Sequence, residues 1–142
     1  MAKKKLGIII EVRTGSKRLP SKCLKKINNK NIIEILLHSL TEIKNIKKII
    51  ATTKLKQDNI IEKIAIKNNI NIFRGPTQDL VSRVISAAKF NRVDHIIQLT
   101  ADNPLIDVNI LKRGMITETS GIEHIWYKFF ILWEYYIIIF FK

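Results

Sequence analysis

Apolar positions fall in two alternating patterns along most of the chain: short unbroken runs, and longer stretches in which they recur at three- and four-residue steps. Leu6, Ile8, Ile9, Ile10 and Val12 form an uninterrupted, β-branched segment that predicts a fully buried strand over residues 6–12. Comparable runs predict strands over residues 47–53, 70–74 and 94–100. Between the first two, Ile32, Ile33, Ile35, Leu36, Leu37 and Leu40 lie at helical spacing, so a helix is predicted over 31–43, with Asn31 as its N-cap after the turn Asn28-Asn29-Lys30-Asn31. Ile60, Ile61, Ile64 and Ala65 predict a second helix over 57–69, closed by Asn68-Asn69. A third, over 79–91, is expected to turn Leu80, Val81, Val84, Ile85 and Ala88 inward. Asp107 reads as the N-cap of another helix beginning near Val108. Regular alternation of strand and helix predicts a Rossmann-like, three-layer α/β/α fold with a mostly parallel sheet.

The first strand empties into Glu11-Val12-Arg13-Thr14-Gly15-Ser16-Lys17-Arg18-Leu19-Pro20-Ser21-Lys22. After Glu11 no acid interrupts its cations. Gly15 permits a tight turn that brings backbone N–H groups close to an anion. Arg13 and Arg18 supply forked donors that match phosphate oxygens, and Lys22 adds a mobile point charge. The spacing fits neither a Walker A loop nor a dinucleotide fingerprint. A solvated basic turn is the ordinary reading of such a loop. Its position after a first apolar strand, where open α/β sheets bind ligands, favours a phosphate site.

A second constellation is Thr100-Ala101-Asp102-Asn103-Pro104-Leu105-Ile106-Asp107. A carboxylate just past a buried strand is suited to hold a divalent ion over a triphosphate, and equally to begin a turn and cap the next helix.

The string Ile-Ile-x-x-Arg-x-Gly-Ser-x-Arg-Leu-Pro-x-Lys over residues 9–22 resembles the signature loop of the cytidylyltransferases that activate acidic sugars. The likeness is greatest to the spore-coat polysaccharide branch and to the acylneuraminate and 3-deoxy-manno-octulosonate enzymes. It implies a nucleotidyltransferase fold and a loop wrapped around the triphosphate of CTP. Arg13, Gly15, Ser16, Arg18 and Lys22 would be the nucleotide contacts, with Arg13 and Lys22 also catalytic through stabilisation of the leaving pyrophosphate. Glu11 departs from the small or amide residue that relatives often carry. The segment around Asp102 is similar to the family's Asp-x-Pro-Leu-Ile element, which makes Asp102 a ligand of Mg2+. Ile72-Phe73-Arg74-Gly75 and Thr52-Thr53 resemble segments near the sugar and base, so Arg74 and Thr52 join the expected nucleotide site. The implied partners are CTP, an acidic sugar and a second copy of the chain in a homodimer.

The resemblance covers about residues 6–112, which divides the chain into a nucleotide-binding part, 1–113, and a divergent tail, 114–142. Set against the family, the 142 residues imply a fold incomplete at its C-terminus, a truncated enzyme. Nine of the eleven aromatic residues lie in 126–142. Residues 125–141 are apolar but short for a membrane span and include Lys128 and Glu134, so an exposed tail or an edge strand is the favoured reading and a membrane is not an expected partner. The net charge of +13 would ordinarily suggest nucleic acid, but the cations are scattered outside the loop and lysine accompanies abundant Ile and Asn, so no specific nucleic-acid binding is expected. A lone cysteine, Cys23, excludes an internal disulfide and suits the cytoplasm. His38, His95 and His124 lack metal-ligand spacing. Transfer of CMP from CTP is the leading expectation; a nucleotide-binding or assembly module without chemistry is the alternative.

Overall fold

The computed structural model describes residues 5–119 and 137–140. In chain order the elements are β1 (Leu6–Glu11), the short strands β2 (Lys26–Ile27) and β3 (Lys30–Asn31), α1 (Ile32–Ser39), β4 (Lys47–Thr53), α2 (Asn59–Lys67), β5 (Asn71–Gly75), α3 (Leu80–Phe90), β6 (His95–Thr100), α4 (Val108–Thr119) and β7 (Ile137–Phe140). The main sheet runs β5-β4-β1-β6-β7. Four strands are parallel, Ile9 pairing with Ile49 on one side and Gln98 on the other; β7 joins β6 antiparallel.

The unbroken apolar run of β1 has a direct cause. Ile8 and Ile10 pack into one layer with Ile33 and Leu36 of α1, Ile61 of α2 and Leu111 of α4, whereas Ile9 meets Val84 and Ala87 of α3 on the opposite face. All three isoleucines are 0% exposed. Burial of each contributes roughly 1.5–3 kcal/mol.

Chain direction across this sheet positions the site. The segments through α1 and α2 step outward from β1 to β4 and then β5, and the segment through α3 returns to the other side of β1. The connections leaving β1 and β6 therefore diverge at the carboxyl ends of adjacent strands, opening the crevice in which such sheets bind ligands.

Several details differ from the sequence reading. The first helix ends at Ser39 and tightens into a 3-10 turn over Leu40–Glu42. Asn28 and Asn29 take φ of 47° and 65°, the left-handed pair that closes a two-residue hairpin between β2 and β3. Ile60 is exposed on α2. The buried face of α3 is Arg83, Val84, Ala87 and Ala88, while Val81 is 65% exposed and Leu80 also faces solvent. Two polar interactions set this rotation: Asp79 accepts from the Ser82 amide at 2.8 Å, and Arg83 turns inward to donate to the Pro76 carbonyl at 2.7 Å. Gly75 accommodates that arginine, because a Cβ there would stand 3.0 Å from Arg83 Cγ. Asp107 caps α4 as expected, accepting from the Asn109 and Ile110 amides.

Residues 120–136 and 141–142 lie outside the described residues, and most of the segment read as a tail or membrane span lies there with them. Among the described residues no helix is long and apolar enough to cross a membrane.

Candidate functional site

The loop after β1 is organised by Thr14. Its side chain is buried and all its backbone and hydroxyl polar groups are engaged: the carbonyl accepts from the Ser16 and Ser21 amides at 2.9 and 2.8 Å, while the amide and hydroxyl donate to Asp58 Oδ1 at 2.8 and 2.6 Å. Ser21 carries a φ of 53° before the 3-10 turn Lys22–Leu24. The chain thereby curls so that Arg13, Gly15, Lys17 and Arg18 are exposed, with Ser16 and Lys22 half-buried. Gly15 runs close to Gln57: a Cβ there would lie 2.8 Å from Gln57 Nε2. Among the described residues Lys17 and Arg18 form no ion pair.

Asp58 is the site residue that sequence reasoning missed. It is 0% exposed and occupies the N-cap position of α2, yet its side chain makes no cap hydrogen bond. Instead Oδ1 serves Thr14 and Oδ2 accepts from the Thr53 hydroxyl at the end of β4. A cap is ordinarily worth about 1 kcal/mol, so using the carboxylate elsewhere requires a stronger network, which charge-assisted bonds in a dry setting provide. Preceding an amphipathic helix, Asp58 reads in sequence as an ordinary cap; its distant partner Thr14 leaves no local signal.

Across the crevice, Lys22 and Asp102 form an ion pair through Nζ and Oδ2, with side chains 36% and 34% exposed. Burial alone would raise the Asp102 carboxyl, but hydrogen bonds from Lys22 and Thr100 hold it below the ordinary carboxylate range. The two sequence constellations, far apart in the chain, thus meet at the carboxyl ends of β1 and β6.

Comparisons with known proteins bear directly on this arrangement. The cytidylyltransferase family model matches residues 7–119. The chain belongs to the cytidylyltransferase family. It is 36% identical to a structurally characterised cytidylyltransferase from Leptospira borgpetersenii, with a TM-score of 0.79 over 84% of this chain and 50% of that one. An uncharacterized protein of Methanocaldococcus jannaschii is 42% identical over 74% of this chain and 44% of its own length. The spore coat polysaccharide biosynthesis protein SpsF of Bacillus subtilis is 32% identical over 72% and 45% respectively. The chain spans under half the length of these two relatives.

Within this cytidylyltransferase fold the remaining expected residues take varied positions. Arg13 is exposed and reaches the Thr77 carbonyl at 3.5 Å. Arg74, expected at the nucleotide, is engaged by the turn after β4: it donates to the Thr53 and Leu55 carbonyls, to Asn59 and to Glu62 at 2.7–2.9 Å. That guanidinium fastens β5 to the segment bearing Asp58. Thr52 is wholly buried, and among the described residues its hydroxyl has no hydrogen-bond partner. Cys23 is buried, and burial pushes its thiol up to about 11, so it stays protonated and unreactive at neutral pH.

Asp102 suits magnesium in chemistry. It is anionic and accessible, and although no group of three or more His, Cys, Asp or Glu side chains converges among the described residues, magnesium is commonly held by one carboxylate, phosphate oxygens and water.

Glu11 ends β1 beside Thr100 of β6. Burial raises its carboxyl, only partly offset by a 2.8 Å hydrogen bond from Gln98 and by the nearby Arg83 guanidinium. A raised folded-state value means that ionised Glu11 opposes folding at neutral pH, and the opposition fades as pH falls through that value. Glu11→Gln is therefore expected to melt roughly 2–4 °C above the parent near neutral pH. The difference should shrink on acidification towards about pH 4, where the parent carboxyl is protonated. A variant less stable than the parent at neutral pH would contradict this.

Proposed function

We propose that this chain forms the nucleotide-binding part of an enzyme that transfers CMP from CTP to an acidic sugar destined for a cell-surface polysaccharide. The observation that carries the reading is the meeting of the basic loop and Asp102 through Lys22, in the switch-point crevice of a cytidylyltransferase fold. The likeness to a spore coat polysaccharide biosynthesis protein supports a sugar acceptor. The compartment in this reading is the cytoplasm.

In the proposed reaction a sugar hydroxyl attacks the α-phosphorus of CTP in line. The new phosphorus–oxygen bond forms as the bond to the β-phosphate oxygen breaks, pyrophosphate leaves, and the hydroxyl proton passes to solvent. Arg13, Arg18 and Lys22 would gather the β- and γ-phosphates and neutralise charge on the leaving group, while Ser16 and the backbone near Gly15 cradle oxygens. Asp102 would hold Mg2+, which when bound polarises the phosphate oxygens. Lys22 would leave Asp102 for the nucleotide, so the ion pair keeps both groups extended into the crevice beforehand. Little covalent chemistry is asked of the protein itself.

Calorimetric titration with CTP, with and without magnesium and with ATP as competitor, tests the reading. Magnesium-dependent, CTP-selective binding is expected, at least tenfold weaker in Asp102→Ala, the loss of one charge-assisted ligand. Failure of the folded chain to bind CTP at about 1 mM, the upper end of ordinary substrate affinities, would refute it. CTP binding without CMP transfer to any 2-keto acid sugar would identify a nucleotide-binding module instead.

A further inference from the structure

We propose that Asp58 is a positioning residue that fixes the basic loop relative to the end of β4, and so sets how strongly the site distinguishes a nucleoside triphosphate from a monophosphate. The inference rests on the reading of residues 13–22 as a phosphate cradle.

Three observations support it. The Asp58 carboxylate is wholly buried and bridges two separate segments, Oδ1 to the Thr14 amide and hydroxyl and Oδ2 to the Thr53 hydroxyl. It does so without capping its own helix, so local helix stability does not account for the side chain's orientation. Finally, the bridge ends on the one loop residue whose carbonyl holds the Ser16 and Ser21 amides, just before Lys22. Displacement of Thr14 would propagate to Ser16, which shares its hydrogen bonds, to Lys22, which follows Ser21, and to Arg18 in the segment between the two held amides. Rigid loops give their binding energy to the ligand only when the donors stand in place beforehand. Asp58 touches no phosphate; it acts through Thr14.

The prediction separates phosphate positioning from general support. In Asp58→Ala, CTP affinity should fall roughly tenfold or more, whereas CMP affinity should change by less than about twofold, since an arranged loop contributes most to the ligand with most phosphates. Asp58→Asn, which retains an acceptor for Thr14 and can donate to Thr53 Oγ1, should recover most of the CTP affinity. Equal losses for CTP and CMP, or unchanged CTP affinity in a folded Asp58→Ala chain, would overturn the inference.

Amide hydrogen exchange gives a readout that does not depend on nucleotide. The Thr14, Ser16 and Ser21 amides should exchange at least about tenfold faster in Asp58→Ala, with Ile9 and Ile50 still protected. Unchanged exchange at these three amides would also overturn the inference. If the parent chain bound no CTP, the proposed function would fall, and these amides would still decide whether Asp58 orders the loop. Should Asp58→Ala not fold, Thr53→Val removes one arm of the bridge and is expected to shift the same amides in the same direction; no shift there would count against the proposal.

Discussion

Lys22→Ala should weaken CTP binding by about 10- to 100-fold, the loss of one charge-assisted contact to phosphate. Lys22 approaches the crevice from the 3-10 turn after the basic loop and meets Asp102 from the end of β6, so its removal also leaves that carboxylate without its strongest partner. The acid limb of stability offers an independent check. Asp102 is held below its ordinary value, so it contributes stability above its unfolded value, and this is lost as pH falls through the folded one. Lys22→Ala forfeits most of that contribution. The stability gap between parent and variant should therefore be present at neutral pH and close in acid. Both side chains are about one-third exposed, and solvent screening limits the gap to about 1 kcal/mol at most. Titrations with CTP and urea melts between about pH 7 and pH 3 read the two effects separately. Undiminished CTP affinity in a folded Lys22→Ala chain would remove Lys22 from the site.

The largest stability effect is expected in the α1 layer. Leu36 is 0% exposed and packs among the residues that cover β1 from that side. Leu36→Ala should cost about 2–5 kcal/mol, lost transfer energy together with the cavity that remains. Val81→Ser provides the informative contrast. Helical periodicity alone turns Val81 towards the sheet, where a polar replacement would be severe, but the residue is 65% exposed and the change should stay within about 0.5 kcal/mol. Chemical denaturation of the two variants distinguishes the arrangements, and a Val81→Ser loss comparable to that of Leu36→Ala would mean that α3 is rotated from the orientation described.

These contrasts mark where the sequence is legible. The order of strands and helices follows from Ile8, Ile9, Ile10 and their counterparts in β4 and β6, because a strand covered on both faces must be apolar at consecutive positions. The rotation of α3 is not written in its apolar spacing. It follows from Arg83, a cation that enters the interior to reach the carbonyls of Pro76 and Thr77, and charge is normally a sign of solvent exposure. The basic loop and Asp102 each announce themselves by composition and by position after a strand. Their direct pairing depends on β1 and β6 being neighbours. Asp58 is hidden for a related reason: one aspartate at a helix start has the same local appearance whether it caps the helix or holds a loop from another part of the chain. The engagement of Arg74 by Thr53, Leu55, Asn59 and Glu62 is likewise a tertiary matter that its strand-end position does not reveal.

The central place of β1 has a consequence for synthesis of the chain. Its first neighbour, β4, follows after α1, where Gly7 pairs with Lys47, but Gly7 finds its other partner only at Ile96. At about 5–20 residues per second, an emerging chain waits roughly 5–20 s between translating the first strand and the one that completes its hydrogen bonding. During that interval Ile8, Ile9 and Ile10 lack the partners supplied by β6 and α3. High contact order slows the search further. Chaperone engagement on the ribosome should accordingly be greatest before β6 emerges, and variants that weaken early β1–β4 pairing should lower the yield of soluble chain more than their equilibrium stability suggests.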